Sequence, residues 1–181
     1  MLNLKDQLPY LGTAKWGETI SKNNALKILD KFYDFGGRDI DTATNYPINS
    51  KPCDFGLALE WLIDWSYKND IKDLRVLLKL GAVNNTGSSK NDLSPKNIDK
   101  IAGDYLSKFQ ENLSTISIHW DNRGIKPKDL DQVSRSIEAL LVYKEKGINI
   151  GFSGLKYPEA YSKLNSFNGQ WVVQVKENIF T

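Results

Sequence analysis

The sequence predicts an α/β fold: a parallel sheet whose strands are joined by helices. Two observations carry this. Short aliphatic runs alternate six times with stretches whose apolar residues recur at spacings of three and four, each pair separated by Gly, Pro or Ser punctuation. Each apolar run also ends in residues able to bind or react, as a parallel sheet with a working C-terminal edge requires. Both a doubly wound sheet and a (β/α) barrel satisfy the alternation.

The elements follow in order. Leu8-Pro-Tyr-Leu-Gly-Thr13 is a first strand. Ser21 caps a helix with Ala25, Ile28, Leu29 and Phe32 on one face, stopped by Gly36-Gly37. Arg38-Asp-Ile-Asp-Thr42 is a second strand, followed by a polar loop to about Pro52. Phe55, Ala58, Leu59, Leu62 and Trp65 form the next helical stripe, and Leu74-Arg-Val-Leu-Leu-Lys79 a third strand. Ser94-Pro95 supplies a cap and first-turn proline for a helix carrying Ile98, Ile101, Tyr105 and Phe109. Leu113 to His119 is a fourth strand. Pro127 starts a helix with Val133, Ile137, Leu140 and Leu141 inward, closed by Gly147. Ile148 to Ser153 is a fifth strand, Pro158 opens a short helix ending near Phe167, and Trp171 to Val175 is a sixth strand. No linker, low-complexity tract or charge block divides the 181 residues, so residues 1–181 read as one domain.

Composition narrows the function. With 40% hydrophobic and 25% charged residues the chain can build a core. A mean hydropathy of -0.44 and the lack of a long apolar run exclude a membrane span, and the N-terminus has no export pattern. One cysteine, Cys53, precludes an internal disulfide and fits a reducing, cytoplasmic compartment. A net charge of +2 with both signs interspersed argues against nucleic acid as a partner.

The strand ends are Gly12-Thr13, Asp41-Thr42, Lys79, His119, Ser153 and Gln174. In a parallel barrel these ends converge on one face, where barrel active sites lie. Singly, each has an ordinary explanation: a satisfied core histidine, a capping aspartate, a snorkelling lysine. Together with Tyr46 they make a coherent set. A tyrosine hydroxyl donates a proton more readily beside an ammonium, and a buried ammonium needs a carboxylate. A histidine can donate a hydrogen bond to a carbonyl oxygen and steady developing negative charge. Such a set lacks only a hydride source, which a cofactor must supply.

At these residues the sequence resembles the aldo-keto reductase superfamily. Asp41-Thr-Ala-Thr-Asn-Tyr46 is similar to the family's D-T-A-x-x-Y signature, and Leu77-Leu-Lys79-Leu-Gly81 to the strand bearing its lysine. Ile116-Ser-Ile-His119-Trp-Asp121 resembles the strand of the catalytic histidine. Gly147 to Ser153 and Val173-Gln174-Val175, with Asn178, resemble the two later cofactor segments. The resemblance implies a (β/α)8 TIM-barrel type fold with about six of eight βα units present. It implies Tyr46 as general acid, Lys79 and Asp41 tuning it, and His119 orienting the carbonyl. It also implies an NADP cofactor, with NAD left open, and no metal. Gly12, Thr13, Asp41, Ser153 and Gln174 would lie along the cofactor, and Trp16 and Trp120 would wall the substrate pocket, with loop packing as their plainer reading. No G-x-G-x-x-G follows the first strand, as expected of a family without a Rossmann fold.

The sequence departs from the pattern where Gly154 follows Ser153 in place of asparagine and where Leu78 precedes Lys79. A complete barrel takes about 250 residues, so the expectation is a barrel incomplete at its C-terminus, whose open edge strands favour self-association. The functional expectation is reversible reduction of an aldehyde or ketone by NAD(P)H. The alternative is a non-catalytic binding or regulatory module on the same fold. A lysine Schiff-base lyase using Lys79 would leave the Asp41–Tyr46 element unexplained.

Overall fold

The computed structural model describes residues 9–88, 90–164 and 170–175. Its strands are β1 (Leu11–Gly12), β2 (Asp39–Ala43), β3 (Arg75–Leu80), β4 (Leu113–His119), β5 (Asn149–Ser153) and β6 (Val172–Gln174). The intervening helices are α1 (Lys22–Asp34), α2 (Leu57–Lys68), α3 (Pro95–Phe109), α4 (Pro127–Glu145) and α5 (Pro158–Ser162). The strands form one sheet in the order β1-β2-β3-β4-β5-β6, every neighbouring pair parallel. A doubly wound sheet reverses its strand order at a switch point. Here each strand adds beside its predecessor, so the topology is that of a barrel, six units of it.

The sheet curls. Across a flat sheet β2 and β6 would lie about 19 Å apart, four spacings of about 4.8 Å. Yet Gln174 Nε2 on β6 donates to Asp41 Oδ2 on β2 at 2.8 Å, which only a strongly concave sheet allows. Alternation along the strands then assigns the two faces. Asp41, Lys79 and Gln174 meet on the concave side. The same parity puts Leu77 there, with Thr115, Ser117 and His119, and Gly151 and Ser153. Val76, Leu78, Leu80, Ile116, Ile118, Ile150 and Phe152 face outward into the main core, against Ala58, Leu62, Ile98, Ala102, Val133, Ile137 and Leu140 of the helices. The runs that read as uniformly apolar thus bury one face under helices and give the other to chemistry.

The helix ends obey local rules. The Ser21 and Ser94 hydroxyls accept from the backbone N–H groups of Asn24 and Asn97, both at 3.4 Å, and Pro95 occupies the first turn of α3. Two expectations shift. Phe55 does not join α2: Pro52–Asp54 makes a single 3-10 turn, Gly56 takes φ 83° ahead of the helix, and Phe55 is left exposed. β1 shrinks to Leu11–Gly12 because its ladder to β2 holds only at Leu11↔Ile40 and Gly12↔Asp41. Leu8, Phe167 and Asn178 lie outside the described residues. No helix among the described residues is long and apolar enough to cross a membrane.

Candidate active site

The site is assembled at the C-terminal edge of β1, β2, β3, β4, β5 and β6. Register alone places His119 beside Ser153 and Ser153 beside Gln174, while Lys79 pairs with Ala43 and Ser117, and Asp41 with Gly12 and Leu77. Curvature then closes the row. Lys79 Nζ donates to Asp41 Oδ1 at 2.5 Å, with side chains only 6% and 21% exposed, and Gln174 holds the other carboxylate oxygen. A buried ammonium is costly without a partner. Asp41 supplies one at a separation of 38 residues that no local pattern could have shown.

Tyr46 is carried by the loop after β2, which is fixed at both ends. Thr44 N–H donates to Lys79 O at 2.9 Å, Tyr46 N–H to Ala43 O at 3.2 Å, and Ala58 N–H to Tyr46 O at 3.2 Å. The Tyr46–Pro47 peptide is cis. The loop holds the buried phenol ring with Lys79 Nζ 5.1 Å from its centroid and the His119 imidazole 5.9 Å away, edge to face at 87°. Asp41, Tyr46, Lys79 and His119 therefore form one cluster.

His119 is almost fully buried. Burial, and secondarily the Lys79 ammonium, push its pKa down to about 3 from 6.5. The imidazole is thus neutral near pH 7, a hydrogen-bond donor or acceptor and not a reservoir of protons. The indole of Trp120 lies against it, ring centroids 4.1 Å apart and planes tilted by 31°.

The remaining predicted residues fall as follows. Thr13 is wholly buried, its hydroxyl on Thr42 Oγ1 at 2.8 Å and Asp41 O at 3.2 Å, so it braces β2 from the first strand. Gly12 has open space where a side chain would stand. Ser153 borders His119 and Gln174 by register. Trp120 is half-buried against His119. Trp16 is not at a pocket wall in this structure. It has no accessible surface and packs in the core, the plainer of its two expectations.

At the ends of β4 and β6 and in the loop after β2, four buried polar atoms have no partner among the described residues: Thr44 Oγ1, Asn45 Oδ1, His119 Nδ1 and Gln174 Oε1. Buried polar groups are normally satisfied, so these four are exceptions. Among the described residues no group of three or more His, Cys, Asp or Glu is arranged to hold a metal ion.

Sequence reasoning did not single out the scaffold beneath β4. Asp121, fully buried, takes a paired contact from Arg123 (Nη2 to Oδ2 2.6 Å, Nε to Oδ1 3.0 Å) and the hydroxyl of Tyr161 on α5. Arg123 continues to Ser136 Oγ at 2.7 Å and Gln132 O at 2.8 Å on α4. Asn91 Nδ2 donates to Trp120 O at 2.5 Å. Only the Asp121 position carried a signal, as part of the His-Trp-Asp segment.

The C-terminal edge of a concave, parallel, barrel-type sheet thus carries a buried Lys–Asp pair, a tyrosine and a neutral histidine. The aldo/keto reductase family model matches residues 10–180, and the chain belongs to that family of oxidoreductases. Norsolorinic acid reductase B of Dothistroma septosporum is 30% identical over 115 residues, which cover 59% of this chain and 27% of that protein. Two solved structures described as an aldo-keto reductase from Pseudomonas aeruginosa superpose with TM-scores of 0.57 and 0.56 at 23% identity. The match covers 80% of this chain and 54% and 53% of those chains, and it supports the fold. The chain thus spans about a quarter of the curated relative and half of each solved structure.

Proposed function

We propose that this chain carries the catalytic half of an NAD(P)H-dependent carbonyl reductase that interconverts an aldehyde or ketone and its alcohol. The observation that carries the reading is the convergence of Asp41, Lys79, Tyr46 and His119 from three strands and one loop onto one buried point. Family membership and the name of the curated relative support reduction as the chemistry.

The residues present fit a nicotinamide dinucleotide. Gln174 Oε1 is a buried acceptor free of any partner among the described residues, suited to an amide N–H, and Ser153 lies beside it. Gly12 leaves room against the first strand, next to Thr13 and Asp41. When bound, the dinucleotide supplies the hydride. The chain does the rest. His119, neutral, directs a hydrogen bond at the carbonyl oxygen and fixes which face of the substrate is presented. Tyr46 gives its hydroxyl proton to that oxygen as negative charge develops there. The Lys79 ammonium stabilises the phenolate left behind, and Asp41 holds that ammonium in place. Trp120, over His119, borders the carbonyl subsite.

Titration with NADPH, followed by tryptophan quenching, tests the cofactor half of this reading. Saturable quenching that is weakened in Gln174→Met supports it, and no quenching at millimolar NADPH refutes it.

A further inference from the structure

We infer that Gly154 is a positioning residue for His119 and acts through Trp120. The inference rests on the role given to His119 above. Gly154 follows β5 at φ +68°, and a Cβ built there would stand 2.7 Å from Trp120 Cδ1, inside the distance real Cβ atoms keep. The absence of a side chain at residue 154 is therefore what admits the indole. Trp120 is itself held in an unusual state, at φ 60°, a left-handed conformation that bulky residues rarely adopt. Three attachments impose it: Trp120 N–H donates to Ser153 O at 2.9 Å, Asn91 grips its carbonyl, and the next residue, Asp121, is anchored by Arg123 and Tyr161. Strain maintained by its surroundings marks a functional position.

The product of that arrangement is the close contact of indole with imidazole, ring centroids 4.1 Å apart and planes tilted by 31°. It closes one face of His119, while Tyr46 meets the same ring edge to face. The imidazole has no hydrogen bond to its buried Nδ1 among the described residues to fix its plane. Packing does so instead, with Trp120 as the flat wall and Gly154 as the space behind it. A side chain at residue 154 would push the indole off and free the ring to turn.

His119 is the chain's single histidine, so its imidazole resonances are assigned by inspection, and they need neither cofactor nor activity. In wild type the C–H protons should show the upfield displacement of a ring lying under an indole, and Trp120→Ala should abolish it. Gly154→Ala should lose it as well. Gly147→Ala is the control: residue 147 has φ +86° but nothing within 4 Å of its Cβ, so it carries the backbone strain without the collision. It should leave the imidazole unmoved. A folded Gly154→Ala whose imidazole resonances match wild type overturns the inference. If Gly154→Ala does not fold, the double variant Trp120→Ala/Gly154→Ala decides: folding upholds the collision with the indole, and failure to fold overturns it. In the reductase assay, Gly154→Ala should lower kcat/KM for the carbonyl by up to about 100-fold with NADPH affinity unchanged. Wild type without activity would refute the reductase reading and leave the resonance test standing.

Discussion

Protonation of His119 should tax the folded state in acid, and the size of the effect follows from the structure. The imidazole pKa is about 3 when folded and 6.5 in the reference state, because the folded ring is buried and faces the Lys79 ammonium. Between these values the unfolded chain holds a proton that the folded chain does not. Stability attributable to this residue is therefore fully present above pH 6.5 and is lost as pH falls toward 3. At about pH 5 the unfolded imidazole lies 1.5 units below its pKa, and at 1.36 kcal/mol per unit the loss is about 2 kcal/mol relative to about pH 7.5. Carboxylates titrating in the same window contribute to any wild-type measurement, so the comparison is with His119→Gln, which keeps them. Urea unfolding at both pH values gives two stability differences. Wild type should lose about 2 kcal/mol more than His119→Gln on going from about pH 7.5 to about pH 5. Equal losses would show that the ring is solvated or already charged in the folded protein, and the neutral-donor role would fall with it.

The other predictions concern buried charge and its supports. Asp41→Asn keeps the shape but leaves the Lys79 ammonium, 6% exposed, without a counter-charge, and should cost about 3 kcal/mol in urea unfolding near pH 7; a loss under about 1 kcal/mol would mean that water reaches Lys79. Arg123→Met strands the wholly buried Asp121 carboxylate and should cost about 3 kcal/mol or more. Tyr161→Phe removes one donor from the same carboxylate while Arg123 remains, and should cost about 1–2 kcal/mol. Were Tyr161→Phe the more damaging of the two by the same assay, Arg123 would not be the anchor described here.

What the sequence reveals and what it hides divide along a physical line. The alternation of strands and helices was readable because periodicity and capping are local: Ser94-Pro95 and the stripe from Ile98 to Phe109 mark α3 without reference to anything else. The strand-end residues were readable because a parallel sheet delivers its C-terminal ends to one edge. Phe55 misled because it continues the spacing of Ala58, Leu59 and Leu62, while the 3-10 turn before Gly56 is set by the pinned loop that carries Tyr46. Contacts made by curvature were hidden altogether. Gln174 reaching Asp41 across 133 residues depends on how strongly the sheet closes. Likewise Gly154 reads in the sequence only as a departure from the family's asparagine, and only the fold shows Trp120 occupying the space it leaves. Trp16 shows the limit of position alone: it lies on the predicted loop, but its indole turns into the core.

In the proposed reaction Tyr46 hands a proton to a carbonyl while its neighbours hold it ready. The most direct measurement is aldehyde-dependent NADPH oxidation by wild type and Tyr46→Phe, with NADPH affinity measured in parallel. The aromatic ring, its edge-to-face contact with His119 and its burial survive that substitution, and only the hydroxyl is lost. Wild type should turn over, and Tyr46→Phe should bind NADPH as tightly while losing at least about 100-fold in kcat, the contribution expected of a positioned general acid. Equal rates in the two proteins would remove Tyr46 from the chemistry.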